Sequence, residues 1–367
     1  MENKKITFID IIKDMEPRWV MSSMATWAVW ILTMIMWNRL NLCFLKIFAW
    51  ILEYLAILFF VLFSILFLIR IYKFPGEIKK DLRHPITANF FAWIFISASI
   101  IVSWIWNVLE PLWWAWDWTL FAKIFYVIAL VLGIVIPIIV SFMFTISESV
   151  DLKHAVWIWF LPPVWIFVLV FAWNFMSLHW IWSNFIVNLN ILLIWIAFML
   201  YILVSSMVYS RLKFHPLPAP EVAPSFVIGL APVWVSIIAI NTFYQVLEKS
   251  NIFNFDLNVL KTLINLLSGL LAWFWTWWFF ITILILWYYL IKKSLPFTLW
   301  WWALVFPIAA FWIWLKFVAL DLSCYYLCSI VTFIWWVTLI LWFIVTYKTL
   351  KGIITKKIFI RPKVIKQ

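Results

Sequence analysis

Ten long apolar runs, spaced along the whole chain, limit what this sequence can fold into. They cover 18–37, 42–73, 86–108, 118–146, 155–176, 184–210, 224–247, 258–291, 298–318 and 324–348. Crossing the hydrocarbon core of a bilayer takes about 20 apolar residues in a helix. In lipid the backbone must bond to itself, which leaves helices or closed barrels. Runs of this length predict helices. The second, fourth and eighth runs are longer and must tilt or extend beyond the lipid. Composition agrees: 68% of residues are hydrophobic, 11% are charged, and mean hydropathy is +1.07. Average soluble domains are about half apolar and about a quarter charged. The chain reads as an all-α polytopic membrane protein with ten transmembrane helices.

Charge sets the expected orientation. An even number of spans puts both termini on one side. That side collects 21 of the 27 lysines and arginines, and the other side has 6. Cytoplasmic loops carry the excess of Lys and Arg, so both termini are expected in the cytoplasm of a cell-membrane protein. The net charge of +12 then faces anionic headgroups and calls for no nucleic-acid partner. Residues 1–17 interleave charge with apolar side chains and lack a small-residue cleavage site, which reads as an amphipathic cytoplasmic segment rather than a signal peptide. Residues 18–348 form the transmembrane domain, and 349–367 form a basic cytoplasmic tail.

The spans repeat. LPPVW at 161–165 in the fifth span recurs 69 residues later as LAPVW at 230–234 in the seventh. The ninth span carries Pro307 directly after Phe306, within WWWALVFPIAAF at 300–311. Proline inside a helix removes a hydrogen bond and clashes with the preceding turn. In a membrane such a break is tolerated inside a bundle or beside a cavity. Pro163, Pro232 and Pro307 are therefore expected to kink pore-lining helices, with Phe306 facing the lumen. The pattern implies five tandem hairpins, odd helices inside and even helices outside, as in transporters built from parallel repeats.

Chemistry-bearing groups are sparse. Glu53, in the second span, is an intramembrane carboxylate and hence a candidate for proton coupling. Its position near one end of the span also suggests a structural pairing with Lys46 or Arg39. Glu110, Asp117, Glu148 and Asp151 fall in loops or at span ends and read as solvated. The four histidines and three cysteines form no metal-binding spacing. No HExxH, GxSxG or phosphate-cradling loop is present, and 5 glycines leave little material for one. An enzyme is not expected, nor is a cofactor. Thr87 and Asn89, in HPITANFF at 84–91, are candidates for a pore mouth or a helix cap. A pathway with almost no fixed charge suits weakly held small anions, drawn by the positive ends of helix dipoles.

The matching stretches MATWAVW (24–30), HPITANFF (84–91), WFLPPVW (159–165), LPAPEVAPSFVIGLAPVW (217–234) and LWWWALVFPIAAF (299–311) span nearly the whole chain. As an ordered set they resemble the tellurite-resistance and dicarboxylate transporter family. That family includes a bacterial tellurite-resistance membrane protein, fungal malate permease, sulfite efflux pumps and plant slow anion channels. The resemblance implies a quasi-five-fold ring of hairpins around a central pore, often as a homotrimer. It also implies a phenylalanine gate at Phe306. The expected function is transport or conduction of small anions such as C4-dicarboxylate, sulfite or a similar inorganic anion. The alternative is a membrane protein with a signalling, structural or enzymatic role and no pathway.

One feature departs from that family. The chain has 33 Trp and only 5 Gly. Trp27, Trp165, Trp234 and Trp300 stand where the matched motifs lead one to expect glycine, and Trp173 looks similar. Small residues let membrane helices approach closely, and an inserted indole typically costs about 1–3 kcal/mol of overpacking. The joint excess and deficit suggest that many tryptophans replace ancestral glycines, through engineering or a recoding error.

Overall fold

The computed structural model describes residues 7–91, 96–97, 99, 118–146, 151–179, 184–250, 256–292, 295–321 and 325–359. Most of the third span lies outside them, as do Glu110, Asp117, Glu148 and Cys324. Eleven α-helices, and no strand, occur among the described residues. A short α1 (Phe8–Asp14) precedes α2 (Met21–Leu40) and α3 (Cys43–Lys73), and α4 (Pro75–Arg83) follows. Next come α5 (Trp118–Thr145), α6 (Leu161–His179), α7 (Asn184–Phe214) and α8 (Ala231–Ser250). The last three are α9 (Leu257–Lys292), α10 (Trp302–Asp321) and α11 (Tyr325–Ile354). Among the described residues, eight stretches are long and apolar enough to cross a membrane, and Leu299–Phe311 is a shorter apolar helix.

Burial separates two classes of helix. The apolar windows of the first, fifth and seventh spans are 83%, 89% and 100% buried, whereas the even-numbered spans lie between 17% and 33%. The even helices turn rows of Leu, Ile, Phe and Trp outward, among them Ile51, Leu58, Ile138 and Leu284. Such a face needs lipid around it. Sequential helices pair as hairpins (α2 with α3, α6 with α7, α8 with α9, α10 with α11). The inner helices also pack on one another: α2 on α10, α6 on α8, and α8 on α10.

All five odd spans begin in the same way, with a 3₁₀ turn at Pro17–Val20, Thr87–Phe91, Trp157–Phe160, Ala223–Leu230 and Leu299–Trp301. Such turns are frequent at helix N-termini, and proline helps to start the first and fourth, where its missing N–H leaves no bond broken. Each turn touches the next, and the fifth touches the first. The turns thus close a five-membered ring at one end of the molecule. Both ends of the chain meet there, because Trp19 stacks on Phe359 at 5.4 Å. Pro163 and Pro232, expected to kink the fifth and seventh spans, sit in the first turns of α6 and α8. The first four N–H groups of a helix have no partner within it, so those prolines break no bond. Only Pro307 in α10 and Pro137 in α5 stand inside a helix among the described residues.

Polar clamps hold four of the five hairpins at this end of the molecule, next to the ring. Buried Arg70, near the end of α3, donates through Nε to the Lys13 carbonyl at 3.0 Å and pairs with Asp81 at 2.6 Å. Arg211, near the end of α7, repeats the arrangement with the Lys153 carbonyl at 3.3 Å. In the fourth hairpin Tyr289 plays this part, its hydroxyl donating to the Pro218 carbonyl at 2.5 Å. In the fifth the direction reverses, and Trp302 Nε1 donates to Thr349 Oγ1 at 3.1 Å.

A second polar cluster lies within the membrane. The Asn174 amide donates to the Ala239 carbonyl and to Thr242 Oγ1, both at 3.0 Å, and accepts from Asn190 at 3.0 Å. All three side chains are buried. This joins α6, α7 and α8. Hydrogen bonds between membrane helices average about 0.6 kcal/mol, so three of them amount to roughly 2 kcal/mol. Asn174→Leu is expected to lower the melting temperature of the purified protein and to weaken the contact between the third and fourth hairpins. Thermal unfolding in detergent, beside an Asn258→Leu control on the exposed start of α9, measures it.

Candidate permeation pathway

The inner helices present apolar stripes to a common axis. α6 supplies Leu161, Val164, Val168 and Phe171. The next hairpin supplies Ile228, Ala231, Val235 and Ile238 at the same helical spacing. α2 adds Met24, Ala28 and Ile31, and α10 adds Ala303, Phe306, Pro307 and Ala310. These residues enclose two cavities. One, of about 10 Å³, reaches from Met24 and Leu161 to Pro307. The other, of about 50 Å³, reaches from Ala28 and Val168 to Ala310. Phe306 is the residue common to both linings.

The half-buried Phe306 ring therefore stands between two apolar spaces on one axis. Pro307 behind it removes the N–H that would bond the Ala303 carbonyl, four residues back. A cavity needs about 10–15 Å³ to hold one water, and the water needs polar partners. The first cavity has room for at most one, and its lining side chains supply no partner. The first cavity is too small and too apolar for a hydrated ion.

Glu53 is 2% exposed and lies on α3 about 15 Å from the start of that helix. It lines neither cavity. The pairing expected with Lys46 or Arg39 is not formed: Arg39 donates to Thr332 at 3.0 Å, and Lys46 lies 5.0 Å over the Trp37 ring. Thr87 and Asn89 stand in the second 3₁₀ turn of the ring. Thr87 meets His84 Nδ1 through both its backbone N–H and its hydroxyl, at 3.2 Å. The buried Asn89 amide donates to the Pro85 carbonyl at 3.0 Å. Both side chains shape the turn.

The five tryptophans at expected glycine positions are all buried, and none lines either cavity. They fill the spaces between neighbouring helices instead. Trp165 lies flat against Gly133 of α5, where no Cβ would fit, and its Nε1 donates to the Gly133 carbonyl at 2.8 Å. Trp173 meets Tyr126 of α5 with ring centres 3.9 Å apart, and Trp234 meets Trp275 of α9 at 4.7 Å. Nearby, the Trp157 and Phe226 rings are 3.5 Å apart at a tilt of 33°. Aromatic pairs prefer about 4.5–7 Å. Several of these rings are crowded.

The geometry defines a class first: an all-α membrane protein of hairpin repeats, with buried inner helices that line two apolar cavities sharing Phe306. Residues 14–350 match the model of the voltage-dependent anion channel family, and the chain belongs to that family. Two proteins of Methanocaldococcus jannaschii, each named an uncharacterized transporter, are similar along almost their full length. One is 25% identical over 361 residues, covering 96% of this chain and 97% of its own. The other is 25% identical over 358 residues, covering 95% and 97%.

Proposed function

We propose that the chain passes small anions along the axis between the inner helices of its odd-numbered spans, with Phe306 as the gate and both termini in the cytoplasm of the cell. The observation that carries this reading is the placement of one phenylalanine between two apolar cavities. Narrow hydrophobic constrictions close by excluding water. The family is one of anion channels, and the transport named for the relatives agrees with a pathway. The proposed substrates are C4-dicarboxylate, sulfite or a similar inorganic anion, and the proposed assembly is a homotrimer with lipid against the outer helices.

Glu53 is assigned a structural role, because it faces neither cavity. Reconstitution in liposomes with a panel of nitrate, chloride, sulfite and malate tests the reading. Anion flux above that of empty vesicles is expected. Glu53→Gln is expected to leave both the flux and its pH profile within about twofold of the parent, a change below 0.5 kcal/mol in the barrier. Loss of pH dependence in that variant, with normal folding, would assign proton coupling to Glu53 instead.

A further inference from the structure

We infer that Arg18 is an anion-exchange contact at the mouth of the pathway, held ready by Glu16. This rests on the pathway proposed above. Arg18 belongs to the first 3₁₀ turn, which touches both the second and the fifth turns of the ring. Its guanidinium carbon lies 5.0 Å from the Trp300 ring centre and 5.9 Å from that of Phe90. Three of the five ring members thus converge on one cation. The neighbouring Trp19 turns the other way, onto Phe63 of α3 and onto Phe359.

Depth along the axis agrees on two helices. Arg18 is six residues before Met24, and Trp300 is six residues before Phe306. Met24 and Phe306 both line the first cavity. Six residues of mixed 3₁₀ and α geometry rise about 10 Å. The guanidinium therefore sits roughly one such step outside the closed constriction. Its side chain is 22% exposed, so water reaches it, while Trp300 and Phe90 beneath it are buried.

Glu16 forms an ion pair with Arg18. A carboxylate seated on this guanidinium shows what chemistry the position accepts: a small oxyanion using charge-assisted N–H bonds. Aromatic stacking fixes the plane of an arginine and directs its donors sideways. An anion arriving at the mouth competes with the Glu16 carboxylate for those donors. The tethered carboxylate keeps the site from holding an anion too tightly to release it, which conduction requires.

The test measures nitrate flux against nitrate concentration in liposomes for the parent, Arg18→Gln, Arg18→Lys and Glu16→Gln. Arg18→Gln is expected to raise the half-saturating concentration about tenfold, the scale of one charge-assisted bond. Glu16→Gln is expected to lower it, and Arg18→Lys to fall between parent and Arg18→Gln. If Arg18 only staples the ring, Arg18→Gln reduces folded yield and maximal flux without moving half-saturation, and Glu16→Gln does nothing. That result overturns the inference. Flux absent from the parent, and absent also when Phe306 is truncated, would defeat the pathway itself. Nitrate-dependent melting in detergent then decides the question for Arg18: a stabilisation lost in Arg18→Gln supports the site, and an equal response in both proteins overturns it.

Discussion

Phe306→Ala is expected to raise anion flux by about tenfold, equivalent to about 1.4 kcal/mol off the permeation barrier. The ring is the residue shared by a cavity of about 10 Å³ and one of about 50 Å³, so its removal joins them. Water then has a continuous space in place of one site for a single molecule, and a dewetted constriction is lost. The remaining lining is apolar, and around Phe306 it includes the small side chains of Ala28, Ala231, Ala303 and Ala310. The tryptophans at expected glycine positions face away from this axis, so they do not plug the enlarged space. Truncating a buried phenylalanine typically costs about 3–5 kcal/mol in a soluble core. Phe306 is half-buried and borders empty space on two sides, which places it at or below the lower end. Folding is followed by thermal unfolding beside the flux assay. Phe306→Leu separates ring from bulk: it fills the gap without an aromatic edge and is expected to conduct between parent and alanine variant. Unchanged flux in Phe306→Ala with intact folding would make Phe306 ordinary packing and remove the gate.

The broad architecture was legible because membrane helices are written as long apolar runs, whose length the bilayer sets. The inner and outer classes were read through the LPPVW and LAPVW echo, in runs that are all strongly apolar. Within α2 and α10, both buried, no amphipathic stripe marks an inward face. Phe306 was found because a proline beside it broke the helical rule. The 3₁₀ ring was not legible: its five turns share a backbone state and no residue pattern, and proline appears in only two of them. Pro163 and Pro232 were misplaced for the same reason. Without the 3₁₀ turn, the α-helix seems to start one turn earlier and the proline to fall inside it. Arg18, Arg70 and Arg211 were counted as loop charges. A membrane-end arginine reads alike in sequence whether it faces headgroups or clamps a carbonyl, and the partner carbonyls carry no side-chain signal at all. Glu53 stood out as a rare carboxylate, but its lack of pairing with Lys46 or Arg39 was not legible, because which neighbours a side chain meets depends on packing between helices.

Returning Trp27, Trp165 and Trp234 together to glycine is expected to tighten the bundle, and each change alone to loosen it. The three are fully buried at related places in α2, α6 and α8. Each indole occupies space between an inner helix and its neighbours. Removing one leaves a void that its helix, held apart by the other two, cannot close; truncating a buried tryptophan typically costs about 3–5 kcal/mol. Removing all three lets the inner helices move together, as small residues allow in membranes. The contact at Trp165 shows the geometry directly. Its ring lies against Gly133, so one side of that interface is already reduced to bare backbone. A second glycine there would let α5 and α6 meet backbone to backbone. Trp300 stays in place in this design because Arg18 stacks on it. The expected result is a triple variant whose melting temperature exceeds that of every single variant, a non-additive recovery of the kind contacting sites produce. Anion flux in the triple variant is expected to rise as well, because indoles such as Trp165 against Gly133, and Trp234 with Trp275 at 4.7 Å, hold the inner helices out of their close-packed positions. Peptide mass mapping of protein purified from its own cells tests the origin of the indoles, with glycine expected at these three positions if the tryptophans come from a recoding error. Tryptophan found at all of them, together with a triple variant less stable than the sum of its parts, would establish the indoles as native packing and sink the idea.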